Sequence, residues 1–191
     1  MISKSEYLRK VIHLFNLIIP ISYYYLFPEK WEFLTIIIYA TLFIILIDIA
    51  RNFIPFIQSI FSILFNDMLR EHELKGKLTG ATWVMIGSCI TIALFPKAVA
   101  ILALIFMSIG DTVAGLVGKK FGKHKIGLKS WEGFISGLVF CLVIAVLYNH
   151  LPTHVSILGA LSAMIFETLP IPLDDNFKIP IGSGGIMMMF L

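Results

Sequence analysis

The feature that most limits what this chain can fold into is a series of apolar runs, each close to bilayer length, separated by short polar turns. A hydrocarbon core about 30 Å thick is crossed by about 20 mostly apolar residues in a helix. Runs of this kind fall at 11–28, 32–50, 80–96, 98–117, 133–149 and 155–173, and an apolar tail covers 179–191. The pattern predicts an all-α protein, a polytopic helical membrane bundle with about six to seven transmembrane helices; whether 179–191 adds a crossing stays open. Composition agrees: 58% of the residues are hydrophobic and 14% charged, and the mean hydropathy is +0.91, beyond the usual soluble range. With no linker, repeat or low-complexity stretch, residues 1–191 are expected to form one membrane-embedded domain. The first run follows Lys4, Arg9 and Lys10 but no small-x-small site follows it, so it is expected to be a retained span rather than a leader.

Between the second and third runs, FIPFIQSIFSILFNDMLR puts Phe56, Ile57, Ile60, Phe61, Leu64 and Met68 on one helical face and Gln58, Ser59, Ser62, Asn66 and Asp67 largely elsewhere. That periodicity suits an amphipathic helix lying in the interface, with a short further span as the alternative. If the N-terminus is inside, Lys4, Arg9, Lys10, Arg51, Arg70, Lys75, Lys77, Lys119, Lys120, Lys123, Lys125, Lys129 and Lys178 share its side, leaving Lys30 and Lys97 outside. The asymmetry predicts an integral membrane protein with its N-terminus and charged motifs at the cytoplasmic face. Cys89 and Cys141 lie in apolar runs and read as packing residues rather than a disulfide or metal knuckle.

Chemistry concentrates in GDTVAGLVGKKFGKHKIGLKSWEG, residues 110–133, which holds six glycines, five lysines and two carboxylates. Asp111 follows an apolar stretch, and a carboxylate at a membrane edge demands a partner: a lysine, a backbone donor or a metal ion. Beyond it, Gly115, Gly118 and Gly122 interleave with Lys119, Lys120, Lys123, Lys125 and Lys129, a combination suited to a polyphosphate met by backbone N–H and ammonium groups. Taken singly, the same residues also suit helix packing and topology. The G-x-x-x-x-G-K-[ST] and G-x-G-x-x-G motifs are both missing. Ser130 is placed to cap the helix that follows, whose free N–H groups suit an anion, and Glu132 can hold a metal, orient Lys129 or simply favour the helix dipole.

In EYLRKVIH, Glu6, Arg9, Lys10 and His13 follow the i, i+3, i+4, i+7 spacing of one helical face. Arg9 and Lys10 can grip phosphate and His13 relay a proton, or the bases can serve as topology signals. Asp48 and Arg51 are spaced to pair, a structural signal more often than a catalytic one. Glu167 lies deep in an apolar run and must face the interior. In PIPLDDNFKIP, Asp174, Asp175 and Asn176 offer oxygens to a magnesium ion, or form a solvated turn.

Together these stretches resemble a known family. GDTVAGLVGKKFGKHKIGLKSWEG is similar to the nucleotide-site stretch shared by phosphatidate cytidylyltransferases and by the CTP-dependent lipid kinases typified by dolichol kinase, phytol kinase and the yeast type of diacylglycerol kinase. EYLRKVIH, LTGAT at 78–82 and LPIPLDDNFKIP resemble the kinase branch. The cytidylyltransferase branch adds a late signature with a Lys-Asp pair, a His-Gly-Gly and an Asp-Arg; here IPIGSGGIMMMFL keeps Gly184 and Gly185 but has Ser183 for the histidine, and no Asp-Arg follows. The resemblance implies a kinase that transfers the γ-phosphate of CTP to the hydroxyl of a membrane lipid alcohol such as diacylglycerol, a polyprenol or phytol, with Mg²⁺ or another divalent cation. It implies catalytic roles for Asp111, Arg9, Lys10 and His13, nucleotide contacts from Gly115, Gly118, Lys119, Lys120, Gly122, Lys123, Lys129 and Ser130, and metal contacts from Asp111, Glu132, Asp175 and Asn176. The competing readings are a cytidylyltransferase and a small non-catalytic transporter or membrane subunit. The bilayer, CTP and the lipid alcohol are the expected partners; no nucleic acid is expected, and homo-oligomerisation is left open.

Overall fold

The computed structural model describes residues 4–65, 68–69, 73 and 76–191. Asn66 and Asp67 of the amphipathic pattern, and Arg70 and Lys75 of the inner-side charges, lie outside the described residues. The described chain is 78% helical, with almost no strand. Its elements are α1 (Lys4–Phe15), α2 (Ile18–Tyr25), α3 (Lys30–Ala50), α4 (Pro55–Phe65), α5 (Gly80–Leu94), α6 (Lys97–Ile105), a π turn (Phe106–Gly110), α7 (Asp111–Phe121), β1 (Lys125–Ile126), β2 (Lys129–Ser130), α8 (Trp131–Leu147), α9 (Thr153–Thr168) and α10 (Asp175–Met189). The two strands form an antiparallel hairpin that pairs Lys125 with Ser130 and Ile126 with Lys129.

Among the described residues, two helical stretches are long and apolar enough to cross a membrane: α3, with 21 residues, and Lys97–Phe121, with 25 residues, which runs through α6, the π turn and α7. The first turns Trp31, Tyr39, Phe43 and Leu46 outward, whereas most of the second is buried. The expected count of six to seven crossings therefore rests on shorter helices, among them Gly80–Leu94 and Trp131–Leu147. The expected first span, 11–28, is divided between α1 and α2 by a turn at Asn16 and Leu17. Pro20 has no N–H to give the carbonyl four residues earlier, and the Asn16 carbonyl instead takes the Ile19 N–H at 3.0 Å. Residues 179–189 of the apolar tail belong to α10, whose Ile179, Ser183, Gly184 and Met187 are buried.

Helix α6 is the centre of the bundle, with every residue from Val99 to Leu104 buried, as a helix apolar on all sides must be. Phe106, Met107, Met164, Ile179 and Met187 complete the core around it. The π turn then directs the chain from this core to the charged end at Asp111. Close helix approach is set by small residues: a methyl group at Gly110 would meet the sulfurs of Cys141 and Met164 at 2.8 and 3.0 Å, so the π turn lies directly against α8 and α9.

At Gly87, a side chain would run into the backbone carbonyl of Asn176 on α10. Gly87→Val is therefore expected to lower stability by about 1–3 kcal/mol, read as a lower thermal midpoint of the detergent-purified protein, with Gly87→Ala the milder of the two.

Candidate active site

Helix α1 presents Glu6, Arg9, Lys10 and His13 toward the first turns of α7. The Lys10 ammonium donates to Asp111 Oδ2 at 2.7 Å and to the Asp111 carbonyl at 3.0 Å. The contact exists because position 115 has no side chain: a Cβ there would fall 2.6 Å from Lys10 Cε and 2.7 Å from its Nζ. Gly115 thus serves first as the passage through which Lys10 crosses α7. His13 Nε2 lies 3.4 Å from both Asp111 Oδ2 and the Met107 carbonyl, and Asn16 Nδ2 donates to His13 Nδ1 at 3.0 Å. With Nδ1 accepting, the ring proton belongs on Nε2, facing Asp111 and the π turn. Glu6 pairs with Arg9 and, at 2.5 Å, with Lys119. Burial would raise the Glu6 carboxyl, but Lys119, Arg9 and Lys10 outweigh it and hold it below its ordinary range, so this carboxylate is ionised at neutral pH.

The glycines after Asp111 are used first for packing. Side chains at Gly118 and Gly122 would meet Ser130 Oγ at 2.8 and 2.7 Å, and one at Gly133 would meet the Ala114 carbonyl at 2.6 Å. Their absence lets the hairpin and the start of α8 lie against α7. Ser130 caps α8 as expected, accepting the Gly133 N–H at 3.2 Å.

Next to Ser130, Lys129 donates to Glu167 Oε1 at 2.6 Å and to Asp175 Oδ2 at 2.8 Å. Burial would lower this ammonium's pKa, but Asp111, Asp175 and Glu167 raise it above the ordinary lysine value, so it stays charged. Lys178 reaches Asp175 Oδ1 at 2.9 Å and the Leu169 carbonyl at 2.8 Å. Oxygens of Asp111, Glu167 and Asp175 all lie within 4.8 Å of one another. Glu167 is only 1% exposed, and its Oε2 is buried without a hydrogen-bond partner.

These groups line one cavity of about 520 Å³, with α1 contributing Glu6, Arg9 and Lys10, α7 contributing Asp111, Gly115, Gly118 and Lys119, and Gly122, Lys125, Leu128, Lys129 and Ser130 closing it from the hairpin side. Gly133 and Phe134 of α8, Glu167 of α9 and Asp175 of α10 complete the wall. Ten of the expected site residues therefore meet there: Arg9, Lys10, Asp111, Gly115, Gly118, Lys119, Gly122, Lys129, Ser130 and Asp175. His13 sits behind Asp111. Other expected members lie elsewhere: Lys120 covers the Phe121 ring at 5.0 Å, Lys123 is exposed, and Glu132 is engaged by His124 at 2.8 Å. Asn176 turns its Nδ2 toward the Gly80 carbonyl at 3.3 Å. Glu167 and Glu6 line the cavity although the resemblance assigns them no role there, and Lys125, one of the lysines suited to a polyphosphate, lines it with them. For Glu167 the signal was present, a carboxylate inside an apolar run; for Lys125 nothing distinguishes it from its neighbours in sequence.

LTGAT and the Asp48/Arg51 pair form a separate, structural cluster. Arg51 Nε donates to Asp48 Oδ1 at 2.5 Å, and Asp48 Oδ2 accepts from the Thr79 N–H at 2.7 Å and the Thr82 hydroxyl at 2.6 Å. Arg51 Nη2 also holds the Lys77 carbonyl at 2.7 Å, so the pair ties the end of α3 to the N-terminus of α5.

The described chain is thus a helical scaffold with many exposed apolar side chains and a cavity walled by carboxylates and lysines. The chain is 26% identical to the CTP-dependent diacylglycerol kinase 1 of Saccharomyces cerevisiae, over 97% of its own length and 73% of the yeast protein. It is 25% identical to the probable phytol kinase 2, chloroplastic, of Glycine max, over 92% of its length and 62% of the soybean protein. An uncharacterized protein of Rickettsia prowazekii is 28% identical over 91% of this chain and 88% of that protein. No protein-family model matches the chain, and no solved structure matches it. Its named relatives across most of its length are lipid kinases, and the chain is a relative of the CTP-dependent lipid kinase family.

Asp48→Asn leaves the Arg51 guanidinium buried without its counter-charge. The substitution is expected to cost about 3–5 kcal/mol, seen as a strongly lowered thermal midpoint, while Lys77→Gln, which keeps the backbone carbonyl that Arg51 uses, stays close to the parent protein.

Proposed function

We propose that this chain is a polytopic, single-domain membrane kinase that moves the γ-phosphate of CTP to the hydroxyl of a membrane lipid alcohol, of the diacylglycerol, polyprenol or phytol type, at the cytoplasmic face. The observation that carries the reading is the cavity whose wall holds Lys10-bound Asp111 and three further carboxylates, Glu6, Glu167 and Asp175, together with Arg9, Lys119, Lys125 and Lys129. Relatives named as CTP-dependent diacylglycerol kinases support CTP as the donor. The lysine asymmetry supports the cytoplasmic side, where a cytosolic nucleotide meets an alcohol anchored in the bilayer.

In such a transfer the hydroxyl oxygen bonds to the γ-phosphorus, the bond from that phosphorus to the bridging oxygen breaks, and CDP leaves. The protein's part is largely to position the groups and neutralise charge. Arg9 and Lys10 stand where they can oppose charge on the transferring group. Lys119, Lys129 and the glycine-lined wall beside Ser130 suit the nucleotide phosphates. Asp111 is the group assigned to orient the attacking hydroxyl and take its proton, or to hold the metal.

A divalent cation fits the residues present. Asp111, Glu167 and Asp175 supply hard oxygen donors close together, and the unpartnered buried Oε2 of Glu167 asks for a positive partner. When bound, such an ion neutralises charge between phosphate oxygens. Glu132 and Asn176, engaged by His124 and Gly80, are replaced in this assignment by Glu167.

Against the cytidylyltransferase alternative, Ser183 and Gly184 do not line the cavity: the Ser183 hydroxyl donates to the Ile179 carbonyl at 2.8 Å within its own helix, and Gly184 lies against the Phe95 ring. The purified protein given γ-labelled and α-labelled CTP in separate reactions, with a panel of lipid alcohols, is expected to place only the γ label in lipid. Label from the α position, with pyrophosphate released, would instead establish a cytidylyltransferase. Asp111→Asn is expected to lower transfer by at least about 100-fold, measured per folded protein because the change also leaves Lys10 without its counter-charge and lowers the thermal midpoint.

A further inference from the structure

We infer that the Lys129 ammonium holds the place of a divalent cation between Glu167 and Asp175 beside Asp111, and gives it up for the nucleotide phosphates when metal and nucleotide bind together. The inference rests on the kinase and metal reading above and adds to it the reason why the two ligands would bind as a pair.

The charges of the acid cluster are balanced as it stands. Its three carboxylates meet three ammonium groups: Lys10 on Asp111 at 2.7 Å, Lys129 on Glu167 and Asp175 at 2.6 and 2.8 Å, and Lys178 on Asp175 at 2.9 Å. A divalent ion added to this neutral set would face the ammonium groups at close range with little net attraction, so the site as built discourages a lone metal. Removing one ammonium leaves a net negative cluster, and the unpartnered Glu167 Oε2 supplies an oxygen already aimed at no protein donor.

The three lysines are not equally free to leave. The side chains of Lys10 and Lys178 are 11% and 7% exposed, and each is also fastened to a backbone carbonyl, of Asp111 and Leu169. Lys129 donates to the two carboxylates alone, and its side chain is 32% exposed. It stands on a two-residue strand that follows Gly127, whose φ is +55°, and Leu128, which is 99% exposed. It also lines the same cavity as Gly118, Lys119 and Ser130, so rotation of its flexible stem takes the charge from carboxylate to phosphate without leaving the cavity. A polyphosphate that draws Lys129 away strengthens the cation site, and a cation that displaces Lys129 strengthens the phosphate site, as linkage requires.

Titration of Mn²⁺ into the full-length, detergent-purified protein without nucleotide, followed by the loss of the free-ion paramagnetic resonance signal, tests the exchange. The parent protein and Lys129→Arg, which keeps the charge, are expected to bind Mn²⁺ weakly. Lys129→Met is expected to bind it at least about tenfold more tightly, a free-energy change of about 1.4 kcal/mol, and Lys129→Met/Glu167→Gln to lose that gain. Equal Mn²⁺ affinity in Lys129→Met and the parent, or a gain that survives Glu167→Gln, overturns the exchange. The parent with Mn²⁺ and CTP, without lipid, keeps the two readings apart. A protein-dependent change in the Mn²⁺–CTP spectrum, lost on Asp175→Asn, supports the metal site whatever Lys129 does; no such change brings down the metal site and the exchange with it. Tight Mn²⁺ binding by the parent without nucleotide also overturns the exchange while leaving the metal site standing.

Discussion

The site depends on one ion pair, Lys10 with Asp111, made across a helix through the gap at Gly115. A lysine ammonium and a carboxylate at a membrane edge are costly apart and tolerable together, so the pair fixes how α1 sits on α7. Once α1 is fixed, Glu6 and Arg9 are brought to the cavity, with Glu6 reaching Lys119 on the next turns of α7. The π turn just before Asp111 contributes from the other side, since a widened turn inside a helix alters which residues face a neighbour. His13 closes the arrangement between the Met107 carbonyl and Asp111.

From that pair the remaining charges follow by compensation. Lys129 spans Glu167 and Asp175, and Lys178 holds Asp175 from the far side, so each buried acid has a base. Charges held in such a desolvated wall act on an incoming ligand more strongly than charges in water. Its weakest link is on the hairpin, where Lys129 depends wholly on carboxylates for its hydrogen bonds, unlike Lys10 and Lys178.

The glycines of residues 110–133 deserve a different reading from the one their spacing first suggests. Interleaved with lysines they look like a phosphate cradle, yet Gly115, Gly118, Gly122 and Gly133 are each crowded by other parts of the protein. They remove bulk so that Lys10, Ser130 and α8 can approach α7, and the cavity is a product of that approach. LTGAT shows the same division of labour: Thr79 and Thr82 bind Asp48 and build the joint between α3 and α5, some way from the acids.

Much was readable from residue order alone. Apolar runs dictated helices, Ser130 marked a helix start, and the carboxylate of Asp111 after an apolar stretch marked a place where something must be paired, because a lone charge in oil is not tolerated. Residue order could not say which partner each charge would take, since Lys10 meets Asp111 across 101 positions and Lys129 meets Glu167 across 38. Nor could it separate Lys129 and Lys125, which face the cavity, from Lys120 and Lys123, which do not. Pairing between distant residues is decided by how helices cross, and the crossings here are set by contacts such as Gly110 on Cys141 and Gly87 on the Asn176 backbone. Those depend on the three-dimensional packing of small residues, a property that periodicity along the chain does not carry.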